Sequence, residues 1–406
     1  MLKLKSYKFK LVPAKEQDKV LFHYLGTTRF IYNLCLEYKK TAYKTKEVNI
    51  SKNEIQKELK DIRNETPWIK DIHSQVVQEI TDRLFVSYDN FFRRVKSGDS
   101  KSGFPKFAKK SSWSSFKFKQ GVKTCTNTNK ISLPGIGKIK FRKSQEIIGQ
   151  IKTASIKREF DGWYVSLSCE TEIIPKKQLS NLIGIDLGLK ELAITSEGEF
   201  FGNIKSLKSA EKKLSSCQRN LSRKKKGSNN KKKNIYELQK LHAKVSRIRK
   251  DYLHKVSSQI INDNQVIACE KLNTKGMLKN HKLAKGISDA SWSMLIEMLR
   301  YKAKWYGRTF IQVAPHHTSQ DCHICGYRNS ELTLAVREWE CPTCKTFHDR
   351  DVNAAKNILN KGINKLKEAG HVFFTFGDMV EVAQPAEEPF CTENNLFSGS
   401  KESHVF

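Results

Sequence analysis

Apolar and basic residues alternate over the first dozen positions of the chain. Tyr7, Phe9 and Leu11 are separated by lysines, which predicts a half-buried β-strand over residues 5–12 with a basic outer face. Pro13 cannot donate to a strand ladder, so it marks the end of this strand. The first element is therefore a strand that needs partner strands.

Three- and four-residue steps, typical of helices, replace this alternation after the proline. Two helical runs cover residues 20–25 and 30–38 with Gly26 between them, so the segment resembles a helix-turn-helix. Two short helices around a glycine are also common in ordinary bundles, so DNA contact and a structural role both stay open. A longer amphipathic helix is predicted over 72–96. Its apolar positions, expected in the core, are Val77, Ile80, Leu84, Tyr88, Phe91 and Val95.

Residues 101–120 combine lysines with aromatic side chains. The aromatic residues are Phe104, Phe107, Trp113, Phe116 and Phe118. Such mixtures can hold backbone phosphates and stack on bases, but they also occur in structured surface segments. Both interpretations stay open for this segment.

Strand patterns dominate over residues 130–172. Two alternating runs flank Asp161 and Gly162, a dipeptide typical of β-hairpin turns. The strand at 5–12 can join this sheet, which makes the intervening helices an insertion. Residues 175–181 then have the composition of a linker.

The charge balance narrows the class of partner. The 406 residues carry 74 Lys and Arg against 42 Asp and Glu, a formal net charge of +32. Such a field gathers polyanions, so nucleic acid is the first partner to consider and an anionic membrane surface the second. The sequence has no run of eighteen apolar residues, and its start lacks the apolar core of a signal peptide. We therefore expect a cytoplasmic protein with room for two or three domains.

The most basic stretch covers residues 204–256, where 18 Lys or Arg face three acids and give a net charge of +15. Apolar residues at helical spacing predict a helical hairpin with one apolar and one cationic side. The apolar positions are Leu238, Leu241, Val245, Ile248 and Tyr252. A solvated charged face is the ordinary explanation, but so few acids compensate the lysines that we predict nucleic-acid contact. The residues expected to make it are Arg223, Lys224, Lys225, Lys226, Lys231, Lys232 and Lys233.

Three acids stand at the boundaries of predicted elements. Asp186 ends the apolar strand in "NLIGIDLGL", and Glu270 ends the apolar strand in "QVIACEKL". Asp351 starts the helix "VNAAKNIL", and Asp349 precedes it by two residues. Taken singly, a strand-end aspartate is normally structural, and carboxylates at a helix start often only cap amide groups.

Together the three acids suggest phosphodiester chemistry. In-line cleavage requires both the attacking water and the leaving oxygen to be stabilised, which two divalent cations about 3.5–4 Å apart can do. Mg²⁺ takes oxygen ligands and keeps several waters, so Asp186, Glu270 and Asp351 would suffice to hold it. In so basic a protein, this order of acids predicts a catalytic site with two Mg²⁺ ions.

Four of the ten cysteines form two Cys-x-x-Cys pairs with fifteen residues between the pairs. Cys322, Cys325, Cys341 and Cys344 therefore match the spacing of a tetrahedral zinc ribbon. Four thiolates leave no open coordination position, so we predict one structural Zn²⁺ rather than a catalytic one. The nearby histidines, interpreted as surface or neighbouring groups, are His316, His317, His323 and His348.

These motifs resemble the TnpB proteins encoded by insertion sequences. The resemblance covers about residues 1–370 and rests on "GIDLGLKELA", "ACEKL", "SDASWSMLIEMLRYKAKWYG", the four-cysteine ribbon and "HDRDVNAAKNI". TnpB proteins are RNA-guided DNA endonucleases related to type V CRISPR nucleases. The resemblance implies an α/β fold with small β and helical parts: an RNase H-like (RuvC) nuclease domain with the inserted zinc ribbon, preceded by a split β-barrel wedge domain carrying a helical recognition insertion.

The same resemblance implies domain boundaries. The wedge would cover 1–13 and 120–180, the helical recognition domain 14–119, the nuclease domain 181–318 and 346–370, and the zinc ribbon 319–345. Residues 371–406 carry six acids and one lysine with several Pro, Gly and Ser. We expect this tail to be poorly ordered.

The resemblance also implies roles and partners. Asp186, Glu270 and Asp351 would be the catalytic acids, with Asp349 supporting them by capping or orienting. A guide RNA from the element's end would pair with double-stranded DNA beside a short motif. By position, the candidates for reading that motif are Ser74, Gln75 and Gln78, since glutamine can pair with adenine in the major groove. A polar helix face is the alternative for each of them.

Together with this resemblance, the sequence predicts an RNA-guided, Mg²⁺-dependent DNA endonuclease in a bacterial or archaeal cytoplasm, associated with the nucleoid and without a membrane partner. A DNA-strand-transferring transposase could use the same fold and metals. A non-cutting RNA-guided repressor should lack at least one metal-binding acid, and a plain zinc-ribbon protein leaves the acids unexplained. The oligomeric state stays open, and a monomer is compatible with the sequence.

Overall fold

The computed structural model describes residues 2–99, 102–125, 128–333 and 335–370. Beyond residue 370 it describes only two backbone segments, Phe373–Phe376 and Met379–Val382, which pair as antiparallel strands. Apart from them, the tail predicted to be poorly ordered lies outside the described residues.

The chain divides into two compact units. The first unit consists of Met1–Ile174 with Lys213–Ala243, and the second of Pro175–Lys212 with Lys244–Phe406. The elements of residues 1–174 are β1 (Leu2–Val12), α1 (Lys15–Lys46), α2 (Lys52–Glu65), α3 (Pro67–Lys70), α4 (Ser74–Lys96), β2 (Ser115–Phe118), β3 (Lys123–Cys125), β4 (Lys130–Leu133), β5 (Gly137–Arg142), β6 (Gln150–Glu159) and β7 (Gly162–Glu172).

The elements of the following residues continue this numbering. They are β8 (Leu182–Asp186), β9 (Glu191–Thr195), β10 (Phe200–Gly202), α5 (Ser206–Ser222), α6 (Asn229–Asp263), β11 (Val266–Glu270), α7 (Thr274–Met277), α8 (His281–Ala290), α9 (Trp292–Tyr306), β12 (Thr309–Val313), β13 (Glu338–Glu340), β14 (Phe347–Asp349), α10 (Arg350–Glu368), β15 (Phe373–Phe376) and β16 (Met379–Val382).

An antiparallel sheet of seven strands, in the order β2-β6-β7-β1-β5-β4-β3, forms the first unit's scaffold. Strand β1 lies between β7 and β5, so the first alternating run does join the later strands, as predicted. Tyr7, Phe9 and Leu11 are buried on one face of β1. Helices α1 and α4 contribute to the same core, and both lie in the sequence between β1 and the rest of the sheet.

Two local predictions hold with small corrections. The β6–β7 hairpin turns one residue earlier than expected, because Glu159 pairs with Gly162 and leaves Phe160 and Asp161 as the loop. Helix α4 confirms the helix predicted over 72–96, although Val95 is exposed rather than part of the core. In both cases the element is right and only its edge differs.

Helix α1 continues through Gly26, so the break predicted there is wrong. Gly26 is exposed, and a methyl group on its Cα would meet no atom within 4 Å. Thr28 donates its hydroxyl to the carbonyl oxygen of Tyr24 at 2.7 Å, a bond typical of a threonine inside a helix. Leu21 and Ile31, on either side of the glycine, are fully buried. Burial of one continuous apolar face outweighs the roughly 1 kcal/mol cost of a helical glycine.

The basic aromatic segment divides between core and surface. Phe116 and Phe118 lie on β2 and are fully buried, and Trp113 packs against the same core. Phe104 and Phe107 remain 42% and 46% exposed. Three of the five aromatic residues are therefore structural, and only the exposed pair is available for stacking on a base.

The sheet of the second unit has five strands in the order β10-β9-β8-β11-β12. Strands β8, β11 and β12 run parallel with β11 in the middle, whereas β9 pairs antiparallel with both β8 and β10. Because the carboxyl ends of parallel strands meet at one edge of a sheet, Asp186 and Glu270 share that edge.

Helices cover both faces of this sheet. Ile267 and Cys269 of β11 join a core formed with α6, α8 and α9, whereas Ala268 packs toward α10 on the opposite face. Helix α10 comes so close that a Cβ on Gly184 of β8 would lie 2.0 Å from the carbonyl oxygen of Ala355. This close contact holds the start of α10 near the strand ends and confirms an α/β arrangement.

Helices α5 and α6 carry the basic stretch, with residues 223–228 between them. The seven lysines and arginines predicted to bind nucleic acid are exposed, except that Lys231 is half-buried. The predicted apolar seam is partly wrong, because Ile248 is 45% exposed. Val245 and Leu253 are buried, and between them in the sequence the half-buried Arg249 pairs its guanidinium with Asp289 at 2.9 Å.

Candidate active site and metal centre

Asp186 ends strand β8 and is half-buried. Burial, followed by the negative charges of Glu270 and Asp351, raises the pKa of its carboxyl to about 7. A backbone hydrogen bond from Leu187 and the positive charge of Arg350 oppose this rise. Asp186 therefore lies where the protein compensates negative charge poorly.

Glu270 ends the neighbouring strand β11 and is buried. Thr318 donates its hydroxyl to Oε1 of this glutamate at 2.5 Å. Burial raises the pKa of Glu270, whereas the Thr318 hydrogen bond and the charge of Lys361 lower it. One oxygen of the carboxylate is thus held in place by a buried hydroxyl.

Asp349 and Asp351 lie at the start of α10 and have different contacts. Oδ1 of Asp349 accepts hydrogen bonds from the backbone N–H groups of Asp351 and Val352, both at 2.9 Å, so Asp349 caps the helix. Asp351, in the first turn, instead pairs with Nη1 of Arg337, which lies 2.8 Å from Oδ2 and 3.2 Å from Oδ1. The side chain of Asp351 takes no part in capping.

The three carboxylates form one electrostatic cluster, although 84 and 81 residues separate them along the chain. Parallel strand ends and the start of α10 bring them together, and the charges of Glu270 and Asp351 both act on Asp186. Carboxylate oxygens are the ligands that a hard divalent cation prefers, and burial leaves the charge of Asp186 poorly compensated. The donor set therefore fits an ion such as Mg²⁺.

Two residues that contact the acids were not predicted from the sequence. Thr318 is buried in the segment after β12, and Arg337 precedes β13 with its side chain 53% exposed. Neither belongs to a motif of characteristic spacing, and lysines and arginines are too common in this chain for one to stand out. Their contacts join residues that are distant in the sequence, and no local pattern predicts such contacts.

Four cysteines form the second candidate centre. The sulfur atoms of Cys322, Cys325, Cys341 and Cys344 all lie within 4.8 Å of one another. The Cys322–Cys344 and Cys325–Cys341 sulfur distances are 3.6 and 3.5 Å. Four ligands about 2.3 Å from a tetrahedral zinc lie about 3.8 Å apart, whereas a disulfide would require about 2 Å. The cluster therefore fits a zinc site and brings together all four predicted ligands.

The four histidines near this cluster include both neighbouring and surface groups, as the sequence predicts. His348 is buried and its Nε2 lies 3.1 Å from the sulfur of Cys322. His323 is half-buried, and its Nδ1 lies 2.9 Å from Oδ1 of Asn353. His316 and His317 are exposed. His348 thus supports a ligand, since a zinc-bound thiolate readily accepts a hydrogen bond.

The candidates for reading DNA lie on α4 in the first unit. Ser74 and Gln78 are exposed and line a cavity of about 290 Å³ together with Gln56, Arg63 and other residues of α2 and α4. Gln75 is different, because its side-chain oxygen accepts a hydrogen bond from the backbone N–H of Gln120 at 3.2 Å. Ser74 and Gln78 are therefore the better placed of the three to meet a ligand.

Comparison with protein families gives three matches along the chain. Residues 166–281 match the family model described as "Probable transposase" (OrfB of IS605), and residues 292–358 match "Cas12f1-like, TNB domain". Residues 1–47 match a model described as "Helix-turn-helix domain", although in this structure they form strand β1 and the single helix α1. None of the helices in the described residues has the length and apolarity needed to cross a membrane.

Curated relatives match over most of the chain. The protein named "Putative RNA-guided DNA endonuclease InsQ" of Escherichia coli K12 is 31% identical over 96% of this chain and 98% of its own length. The "Putative RNA-guided DNA endonuclease" of Streptomyces pristinaespiralis is 32% identical over 88% of this chain and 89% of its own. Among solved structures, "Structure of the mini-RNA-guided endonuclease CRISPR-Cas_phi3" matches with a TM-score of 0.49 and 10% identity, covering 89% of this chain and 92% of that one.

Proposed function

The chain belongs to the TnpB family, and on that premise we propose that it is an RNA-guided, Mg²⁺-dependent DNA endonuclease encoded by a transposable element. The observation that carries the proposal is that Asp186 and Glu270 end neighbouring parallel strands, and that the charges of Glu270 and Asp351 both act on Asp186. The names of the two relatives, which state guiding by RNA and cleavage of DNA, support it.

The proposed architecture follows the boundaries inferred from the sequence. Residues 181–318 and 346–370 would form the RuvC-type nuclease domain, interrupted by the zinc ribbon at 319–345. A mixed five-stranded sheet with acids at two parallel strand ends and at a helix start supports this assignment. A wedge (1–13 and 120–180), which lies in the first unit except for residues 175–180, would carry the recognition helices (14–119). The seven-stranded sheet supports this second assignment, because β1 precedes the helices α1–α4 in the sequence and the other six strands follow them.

In the proposed mechanism the three acids act together on one phosphodiester. Asp186, Glu270 and Asp351 would hold Mg²⁺, which when bound stabilises the attacking water and the leaving oxygen of an in-line displacement. Thr318 keeps Glu270 oriented, and Asp349 fixes the first turn of α10 by capping it. Arg337 offsets part of the negative charge on Asp351. The role of this chain is therefore to hold three carboxylates in place before DNA arrives.

Nucleic-acid binding is assigned to the two exposed regions predicted from the sequence. The cationic residues Arg223 to Lys226 and Lys231 to Lys233 would hold the backbone of the guide RNA. Ser74 and Gln78 would face the DNA motif beside the target, where glutamine can make paired hydrogen bonds to adenine. We assign Gln75 a smaller part, because its carbonyl oxygen already accepts a hydrogen bond within the protein.

The test begins with the RNA that co-purifies with the protein when it is expressed with its native downstream flank. We expect one discrete RNA with a constant scaffold and a 3′ end beyond the gene. Reprogramming that 3′ end should direct cleavage of a matching plasmid in Mg²⁺. Asp186→Ala should bind the same RNA and lose at least about 10³-fold in cleavage rate, as expected for removal of a metal ligand.

Three results would contradict the proposal, and each points elsewhere. Full cleavage by Asp186→Ala, with RNA binding intact, would exclude the three-acid mechanism. RNA-independent joining of DNA ends would identify a strand-transferring transposase. Tight, RNA-guided binding without cleavage by the unmodified chain would identify a repressor.

A further inference from the structure

The segment 318–323 connects three parts of the second unit that the proposed mechanism treats separately. It contains Thr318, which contacts Glu270, and it contains Cys322, which belongs to the cysteine cluster. It also lies against α10, the helix that presents Asp351. Six consecutive residues thus touch the zinc-type site, one acid, and the helix that bears another.

Two asparagines of α10 make the contacts to this segment. Asn353 is 1% exposed, and its Nδ2 donates to the backbone carbonyl of Asp321 at 2.8 Å. Its Oδ1 accepts from the backbone N–H of His323 at 3.0 Å and lies 2.9 Å from Nδ1 of the same histidine. Asp321 and His323 flank Cys322, so the side-chain amide of Asn353 hydrogen-bonds the backbone on both sides of this cysteine.

Asn357 makes the second contact, one helical turn further along the same face of α10. Its Nδ2 donates to the carbonyl oxygens of both Thr318 and Asp321, at 2.8 and 2.6 Å. Thr318 is thereby fixed by its carbonyl group while its hydroxyl is directed at Glu270. Residues i and i+4 lie on the same face of a helix, so the side chains of Asn353 and Asn357 together hold the segment 318–323 against α10.

We propose that Thr318, Asn353 and Asn357 are positioning residues, through which the four-cysteine ribbon sets the geometry of the carboxylate site. The inference rests on the proposed function. The ribbon holds Cys322, the asparagines hold α10 against the segment, and Thr318 transmits the position of that segment to Glu270. Asp351 is set by the same connection, because it lies two residues before Asn353 in the first turn of α10. Buried amides and hydroxyls suit this purpose, since partners of ligands orient them and tune their affinity.

The test measures binding of Mn²⁺, as a paramagnetic substitute for Mg²⁺, to the zinc-loaded full chain by titration calorimetry or electron paramagnetic resonance. Thr318→Val removes the hydroxyl with little change in volume, and we expect Mn²⁺ affinity to fall about 10-fold or more. The Mg²⁺ concentration that half-saturates cleavage should rise by the same factor. Thr318→Ser restores the donor and should restore both values. Zinc content should remain one per chain in both variants.

Asn357→Leu provides a second, independent arm. This change removes the hydrogen bonds from the Asn357 side chain to the carbonyl oxygens of Thr318 and Asp321. We expect weaker Mn²⁺ binding together with faster release of zinc to a chelator. Thr28→Val is the matched control, because Thr28 is a fully buried threonine of the first unit. Its loss should lower stability and leave Mn²⁺ affinity and zinc release unchanged.

The outcomes separate this inference from the function it rests on. Unchanged Mn²⁺ affinity and unchanged Mg²⁺ dependence in Thr318→Val and Asn357→Leu would overturn the positioning role. If Asp186→Ala weakened Mn²⁺ binding in the same experiment, the three-acid site would still stand. If Asp186→Ala bound Mn²⁺ like the unmodified chain, the proposed function itself would fail.

Discussion

The cysteine cluster and the carboxylate cluster lie in the same unit, yet they are assembled in opposite ways. The four thiol ligands come from 23 consecutive residues, 322–344, whereas the three acids are spread over 166 residues, from 186 to 351. The cysteines form a closed set around a single point. Burial, followed by the negative charges of Glu270 and Asp351, raises the pKa of Asp186.

This difference shows how stability and chemistry are divided within the unit. A complete set of thiolates gains free energy from its ion and can stabilise the local fold. The charged forms of Asp186 and Glu270 cost free energy, because burial raises the pKa of both carboxyls, so the surrounding sheet and α10 must hold them in place. The first cluster therefore builds structure, and the second depends on structure built elsewhere.

Removal of a cysteine should give the largest effect. Cys341→Ser replaces a fully buried ligand, and structural zinc in small domains contributes binding free energies of about 10–16 kcal/mol. We expect zinc content to fall from about one per chain to near zero, with protease sensitivity appearing around residues 322–345. Zinc analysis and limited proteolysis measure both changes.

The control for this experiment is Cys35→Ser, which alters an equally buried thiol in the first unit. It should keep its zinc and lose only ordinary core stability. A full zinc content in Cys341→Ser would show that the cluster is not the ion's site.

Removal of an acid should have the opposite sign on stability. Asp186→Asn takes away a charge that burial and two carboxylates disfavour, so we expect the free energy of unfolding without Mg²⁺ to rise by about 1–2 kcal/mol. Thermal unfolding with and without Mg²⁺ tests this, because added Mg²⁺ should stabilise the unmodified chain and have little effect on the variant.

Asp349→Asn is the matched control for that measurement. It removes a carboxylate from the same region but keeps the oxygen that caps α10. We expect no gain in stability from it. An equal gain in both variants would mean that general negative charge, rather than the three-acid cluster, is what costs free energy.

The smallest expected effect comes from a substitution at Gly26, where the sequence pattern predicts a helix break and packing keeps the helix continuous. Gly26 lies on the exposed side of α1 with open space at its Cα, so Gly26→Ala should raise the free energy of unfolding by about 0.5–1 kcal/mol. Urea unfolding measures this change. Destabilisation would indicate that the segment needs the flexibility of a break, as the sequence pattern suggests.

Features formed by neighbouring residues were predictable from the sequence. The cysteine spacing is sufficient because a zinc site needs only two short loops close together. The alternation in β1 and the three- and four-residue steps in α4 follow directly from which side chains face the core. The same local patterns predict that two of the acids end strands and the third starts a helix. The family resemblance then assigns the three acids to one site.

What packing decides was predicted less well. Residue propensity alone predicts a break at Gly26, and a continuous buried face on α1 overrides it. Helical spacing predicts Ile248 in an apolar seam, but Ile248 is 45% exposed and the neighbouring Arg249 pairs with Asp289 instead. At Gly26, tertiary contacts outweigh a local preference of about 1 kcal/mol.

The sequence by itself determined the residue types of both clusters, because the thiols of Cys-x-x-Cys pairs and the carboxyls of strand-end acids are set by residue identity. Only the tertiary structure decided that Thr318, Asn353 and Asn357 join the two clusters through one six-residue segment. Hydrogen bonds act over about 3 Å and require a particular orientation, so partners distant in the chain leave no periodic signal in it.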